Sequence, residues 1–356
     1  MKLEIPENHT LSSTAEDSYS SPITGSLSLP TSSLTDTPEI TIELVQYPIQ
    51  PLQSTTSIPK THAETLVQCK LWTSPNATNK QRYEFSLPVP SDIPATMQTV
   101  LGSVSYAVTA TASSSTAILR ESRTIDILRL RVVEPETRTH IRRYPGDKVV
   151  TELRATPVAL EGKQRRTAYH LEWLARSTIT KGLRESEVRY MVARELRWRV
   201  DEIVSLAVLT HGSPRGKVCQ QHTRKLCSGR IKGRWIASGG LNEGTDAFLI
   251  PFEVEIPTAV ESTEASSYPD YAHRDSLAIM AEHRLYVEVI TGEDTFHRET
   301  GDLVDRKARV KSYEAGFVLP VHRFVPDGEI RIQSTDKLPQ YGEKFPVLPC
   351  YVDDAT

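Results

Sequence analysis

Near its C-terminal end the chain twice sets a tyrosine two residues after a leucine-proline pair. The two copies are Leu338-Pro339-Gln340-Tyr341 and Leu348-Pro349-Cys350-Tyr351, ten residues apart. Proline fixes φ near −65° and biases its neighbour toward an extended backbone. Such a segment meets an aromatic-lined groove already extended, so less ordering entropy opposes binding. In Pro-Pro-x-Tyr ligands of WW domains, proline stacks between groove aromatics and tyrosine fills a second pocket. Leu-Pro-x-Tyr keeps both anchors and puts an apolar residue in place of the first proline. The chain's own Leu, Pro and Tyr content gives roughly 0.07 such motifs by chance, so a pair is hard to obtain by accident. Ten residues of polyproline II span about 31 Å, a separation that lets two WW domains of one partner bind together. The competing reading is that Tyr341 and Tyr351 pack back on the folded body.

A second group is electrostatic. Between Ile203 and Asn242 there is no acidic residue, against Arg215, Lys217, Arg224, Lys225, Arg230, Lys232 and Arg234. The run reads either as a solvated hairpin or as a contact for an anionic membrane surface or acidic partner, with each cation near such a surface contributing about 1 kcal/mol. Nucleic acid is disfavoured because Trp235 is the only stacking aromatic in the run. His211, Cys219, His222 and Cys227 fall in the same stretch, but their spacing matches no common zinc module, and the expectation is no metal.

Enzyme motifs are missing. There is no Gly-x-Ser-x-Gly, no Gly-x-Gly-x-x-Gly and no phosphate-cradling glycine loop. The expectation is a binding protein, not an enzyme, and one without a cofactor.

The elements that must carry these groups read as strands. Apolar residues make up 38% and charged residues 24%, the net charge is −3, and 23 prolines punctuate the chain. The four cysteines are too few and too irregular for a disulfide framework. No apolar run approaches the roughly 18 residues of a membrane span, and the polar N-terminus lacks a signal-peptide centre, which points to the cytosol. Twenty of the first sixty residues are Ser or Thr, so residues 1–21 are expected to be disordered.

Beyond them, alternation of period two dominates. Ile40, Ile42 and Leu44 share a face, as do Val67, Cys69 and Leu71, Tyr83, Phe85 and Leu87, and Val104, Tyr106 and Val108. With Thr124–Val133 these short runs predict a β-sandwich over residues 22–140. "RRYPGDK" reads as a connection. A second sandwich is expected over 149–326, through Tyr169, Leu171 and Trp173, then Phe248, Ile250, Phe252, Val254 and Ile256. Its clearest run sets Ile279, Ala281, His283, Leu285, Val287 and Val289 on one face. Residues 184–209 fit both a helix (Val188, Met191, Val192, Leu196) and a strand (Leu196, Trp198, Val200); the expectation is a turn or short helix to about Ala193, then a strand from Glu195. Residues 327–356 are expected to form a flexible tail.

Several stretches, in order, resemble the fungal alpha-arrestins, or arrestin-related trafficking adaptors. "PITGSLSL" followed by "PEITIELVQY" is similar to the opening strands of the arrestin N-domain. "RYEFSLPVPSDIPATM" with "VSYAVTATA" resembles the family's Phe-x-Phe/Leu-x-x-Pro and Tyr-x-Leu/Val-x-Ala pattern. "ELRWRVDE", "LIPFEVEI" and "AEHRLYVEVITGEDTFHRETGDLVDR" look like C-domain strands of the fungal branch, and "LPQYGE" like its tail. The likeness covers about residues 22–351. It implies two tandem immunoglobulin-like sandwiches and a non-enzymatic cytoplasmic adaptor recruited to the plasma membrane and endosomes. The body would recognise a plasma-membrane transporter or receptor. The tail would recruit a HECT-type ubiquitin ligase with WW domains through Leu338, Pro339, Tyr341, Leu348, Pro349 and Tyr351. Both tail motifs depart from Pro-Pro-x-Tyr at their first position.

Overall fold

The computed structural model describes residues 1–13, 18–29, 39–47, 63–71, 82–91, 93–115, 117–132, 136–159, 167–210, 217–237, 246–257, 264–268, 275–321 and 323–325. Among these the chain is all-β, and no helix is long and apolar enough to cross a membrane. The first unit comprises β1 (Lys2–Glu4), β2 (Asn8–Ser13), β3 (Ser18–Ser20), β4 (Ile23–Ser28), β5 (Glu39–Tyr47), β6 (Glu64–Leu71), β7 (Arg82–Leu87), β8 (Met97–Thr99), β9 (Gly102–Ser113) and β10 (Ile118–Val132). The second comprises β11 (Arg138–Arg143), β12 (Val150–Ala159), β13 (Thr167–Arg176), β14 (Ile179–Lys181), β15 (Glu187–Thr210), β16 (Lys217–Trp235), β17 (Phe248–Glu255), β18 (Glu264–Tyr268), β19 (Asp275–His297) and β20 (Leu303–Val318). The last strand, β21 (Arg323–Val325), returns to the first unit and pairs in parallel with β10.

Each unit is two sheets around an apolar layer. In the first, a three-stranded sheet β1-β4-β7 packs on a sheet ordered β3-β2-β10-β9-β5-β6. Alternation decides which side chains go in: Ile40, Ile42, Leu44, Val104, Tyr106 and Val108 are buried together with Leu27 and Leu87 of the smaller sheet. Burying a side chain of this size contributes about 1.5–3 kcal/mol. The Tyr106 hydroxyl, carried inside with its ring, donates to the Pro94 carbonyl at 2.8 Å.

In the second unit, β11-β12-β13-β17 packs on a sheet whose central strands, β15 and β19, carry β16 and β20 on their flanks. On β17, Phe248, Ile250, Phe252 and Val254 are buried and the intervening residues exposed. Pro251 is tolerated there because β17 ends its sheet and one side of its backbone has no ladder to feed.

Three expectations need correcting. Residues 1–21 are not a disordered leader over their described part. Leu3, His9 and Leu11 are buried while Asn8 and Thr10 are not, and β2 pairs in parallel with β10, Ile127 opposite His9. A Ser/Thr-rich segment needs only a few inward residues when an edge such as that of β10 supplies its hydrogen bonds.

Residues 187–193 are strand, not turn or helix. β15 runs unbroken for 24 residues because β19 pairs it throughout. Val188 and Val192, four apart, share a strand face as readily as a helical one, and an irregularity between Ala193 and Glu195 lets Ala193 and Leu196 both reach the second core. Only Arg184–Ser186 turns, closed by the Glu187 amide donating to the Arg184 carbonyl.

The domain limits also move. β11 lies before the Pro-Gly turn yet belongs to the second unit through β12. Val204, Leu206, Leu277, Ile279 and Ala281, at the far ends of β15 and β19, belong to the first core. The two long strands therefore pass through both cores.

Candidate interaction surface

The basic run forms β16, an antiparallel edge strand hydrogen-bonded to β15 from Lys217 to Trp235. Its sheet places Glu195, Arg197, Arg199 and Asp201 of β15 opposite Lys232, Arg230, Ser228 and Lys225. On the other side β15 faces β19, with Glu288 opposite Arg197 and Tyr286 opposite Arg199. Strand alternation puts these residues on the outward face of the sheet.

That face is a lattice of opposite charges. Arg197 reaches Glu195 at 2.6 Å and Glu288 at 3.3 Å, Arg230 lies 3.6 Å from Glu195, and Arg199 lies 3.2 Å from Asp201. The Arg197 hydrogen bond, ahead of the cost of partial burial and the charges of Arg230 and Lys232, holds the Glu195 carboxyl below its ordinary range. The Arg199 guanidinium also sits 4.7 Å over the Tyr286 ring. Tyr286 lies over Gly316, where even a methyl group would press on the ring at 3.1 Å. Between the flanking strands lies a groove of about 860 Å³, lined in part by Arg142, Lys225, Arg230 and Glu288.

The full charge of the run is not available to a partner. Arg224 is bound to the buried Glu202 through Nε at 2.5 Å and Nη2 at 3.2 Å. Arg234 donates to Asp294 at 3.0 Å, and the same fully buried carboxylate accepts from Arg194 at 2.6 Å and Arg306 at 3.2 Å. Glu202 sits on β15 just before the run and Asp294 on β19, 60 residues beyond Arg234, so a charge count confined to the run leaves both out. Lys217, Lys225, Arg230 and Lys232 remain the more open cations; Arg215 lies outside the described residues.

Glu202 has a second role. On the inward faces of β15 and β19, Val200 and Leu285 belong to the second core, and Val204 and Ala281 to the first. Between them stand Glu202, 3% exposed, and His283, fully buried, with His283 Nε2 3.4 Å from Glu202 Oε2. Burial pushes the Glu202 carboxyl up, but the hydrogen bonds of His283 and Arg224 outweigh it and leave the group below its ordinary value.

A metal reading finds no support in the geometry. Cys219, His222 and Cys227 are strung along one extended strand, about 26 Å end to end at 3.3 Å per residue, too far to share an ion. No group of three candidate ligands converges among the described residues. Burial pushes the Cys227 thiol up to about 11, so it is neither a ready ligand nor a nucleophile near neutrality. Leu338, Pro339, Tyr341, Leu348, Pro349 and Tyr351, with His211, lie outside the described residues.

No family model matches the sequence, and no curated protein matches it. Among solved structures, squid arrestin is similar over 90% of this chain and 94% of its own, at 9% identity and a TM-score of 0.41. A pore forming protein is similar over 65% of this chain and 99% of its own, at 10% identity and a TM-score of 0.19. Both scores are low, and the fold stands on the strand pairing described above.

Proposed function

We propose that the chain is a non-enzymatic adaptor that brings a plasma-membrane transporter or receptor to a HECT-type ubiquitin ligase, promoting ubiquitination and endocytosis of the cargo. The carrying observation is the repeated Leu-Pro-x-Tyr at 338–341 and 348–351, beyond the last described strand, which ends at Val325. The all-β body with a charged, grooved sheet face is consistent with a scaffold that binds extended or surface-exposed partners. The protein would act in the cytoplasm and be recruited to the plasma membrane and endosomes.

The test is binding of the full-length protein to the tandem WW domains of a HECT ligase. Binding is expected to exceed that to a single WW domain by about a hundredfold through linked engagement, and to be lost in the Tyr341→Ala, Tyr351→Ala double variant. Undiminished binding by that variant sinks the proposal. A second reading, a sorting scaffold that works without a ligase, is favoured by one feature: both copies carry leucine where the stronger ligand has its first proline.

A further inference from the structure

Among the described residues, the edge of β16 away from β15 is a long unpaired hydrogen-bonding template. Among the described residues β16 pairs with β15 alone, over 19 residues, and contains no proline. Register shifts opposite Leu206/Ala207, Val200/Asp201 and Ala193/Glu195 interrupt the ladder and leave two regular windows, Gln220 to Lys225 and Cys227 to Lys232, of which only the second has residues packed on an apolar core, Cys227 and Ile231. Six residues is an ordinary strand length. Every second residue of an edge strand turns its N–H and C=O away from the sheet, where another strand can take them.

The two faces of this window differ. Ser228, Arg230 and Lys232 are exposed on the outward face. Glu195 is shared among Arg197, Arg230 and Lys232, so positive charge is in surplus there. Cys227 and Ile231, on the inward face, are half-buried against the second core, with Leu226 and Trp235 beside them. A strand laid along this edge would set alternate side chains against cations and against an apolar rim. A second copy of the chain fits badly, because its own β16 would oppose cations to cations.

We propose that the edge from Cys227 to Lys232 receives, by strand addition, an extended segment of a protein partner in which acidic and apolar residues alternate. This does not depend on the tail motifs, and the failure of either leaves the other standing.

The test uses the full-length protein and three labelled peptides: Glu-Val-Glu-Val-Glu-Val-Glu, its block isomer Glu-Glu-Glu-Glu-Val-Val-Val, and the alternating peptide with methylated backbone nitrogens. Fluorescence anisotropy is expected to show the alternating peptide binding at least about tenfold more tightly than the block isomer, a difference of about 1.4 kcal/mol. Backbone methylation, or Arg230→Glu with Lys232→Glu, is expected to abolish binding, and amide exchange at 227–232 is expected to slow on addition of the peptide. The methylated peptide needs no variant protein, so a misfolded double variant would not blunt the test. Equal binding of the isomers or of the methylated peptide would refute strand addition. So would self-association through this edge, or phosphatidylserine vesicles protecting 227–232 when the peptide does not.

Discussion

The carboxylate of Glu202 and the imidazole of His283 lie 3.4 Å apart on the inward faces of β15 and β19, between Val200 and Leu285 of one core and Val204 and Ala281 of the other. Removing a buried carboxylate from water is costly, and it is offset here by Arg224 and His283. Because the folded Glu202 pKa is lowered, its stabilisation is fully present above the unfolded value of about 4.3 and is lost as pH falls through the folded value. Glu202→Gln is therefore expected to cost about 1–3 kcal/mol at neutral pH, the low end reflecting the half-exposed Arg224. Urea denaturation at pH 7 and pH 3.5 should show the gap between the two proteins narrowing in acid; a gap that widens contradicts the assignment.

The N-terminal strands are structural members. Leu11 is 1% exposed and packs in the first core, so Leu11→Ala is expected to cost about 2–4 kcal/mol. Deleting residues 1–13 removes both β1 and β2 and should cost more. Chemical denaturation distinguishes this from a dispensable leader, whose removal would leave the midpoint unchanged.

Gly292 is fixed by close backbone approach. A Cβ there would lie 2.3 Å from the Lys307 carbonyl oxygen and 2.8 Å from that of Ala308, at a register shift between β19 and β20. Neither oxygen is a flexible side-chain end. Gly292→Ala should destabilise by about 1–3 kcal/mol, and thermal melting would show it.

Asp294 holds Arg194, Arg234 and Arg306 together from a fully buried position. Asp294→Ala leaves three guanidinium groups without their shared acceptor. A cost of roughly 2–4 kcal/mol is expected, reduced from a fully buried case because Arg234 and Arg306 are about half-exposed. Equilibrium unfolding of Asp294→Ala beside Arg306→Ala checks this, and the second substitution should be the milder.

Much of the fold was legible because a strand writes its burial at every second residue. Ile279, Ala281, His283, Leu285, Val287 and Val289 share one inward face, and the alternation carried even the histidine inside. Its partner Glu202 is 81 residues away in sequence, so no local pattern could name it. The acids that bind Arg224 and Arg234 lie 22 and 60 residues from them, outside the basic run, and turn an apparent block of seven free cations into a partly neutralised lattice. β1 and β2 were missed because Ser and Thr, common in unstructured leaders, are also good strand residues once a neighbouring edge exists. In β15, Val188 and Val192 fitted a helical stripe; long-range pairing with β19 decided for strand.

The shared strands have a mechanical consequence. β15, at about 3.3 Å per residue, extends roughly 75 Å and is zipped to β19 along its length. Among the described residues, such a ribbon joins the two cores by two continuous paired strands, not by a single crossing point. A pull or tilt applied at the tip near Glu187 is transmitted toward Thr210 as motion of a stiff spar, so anything seated at one end bears directly on the other.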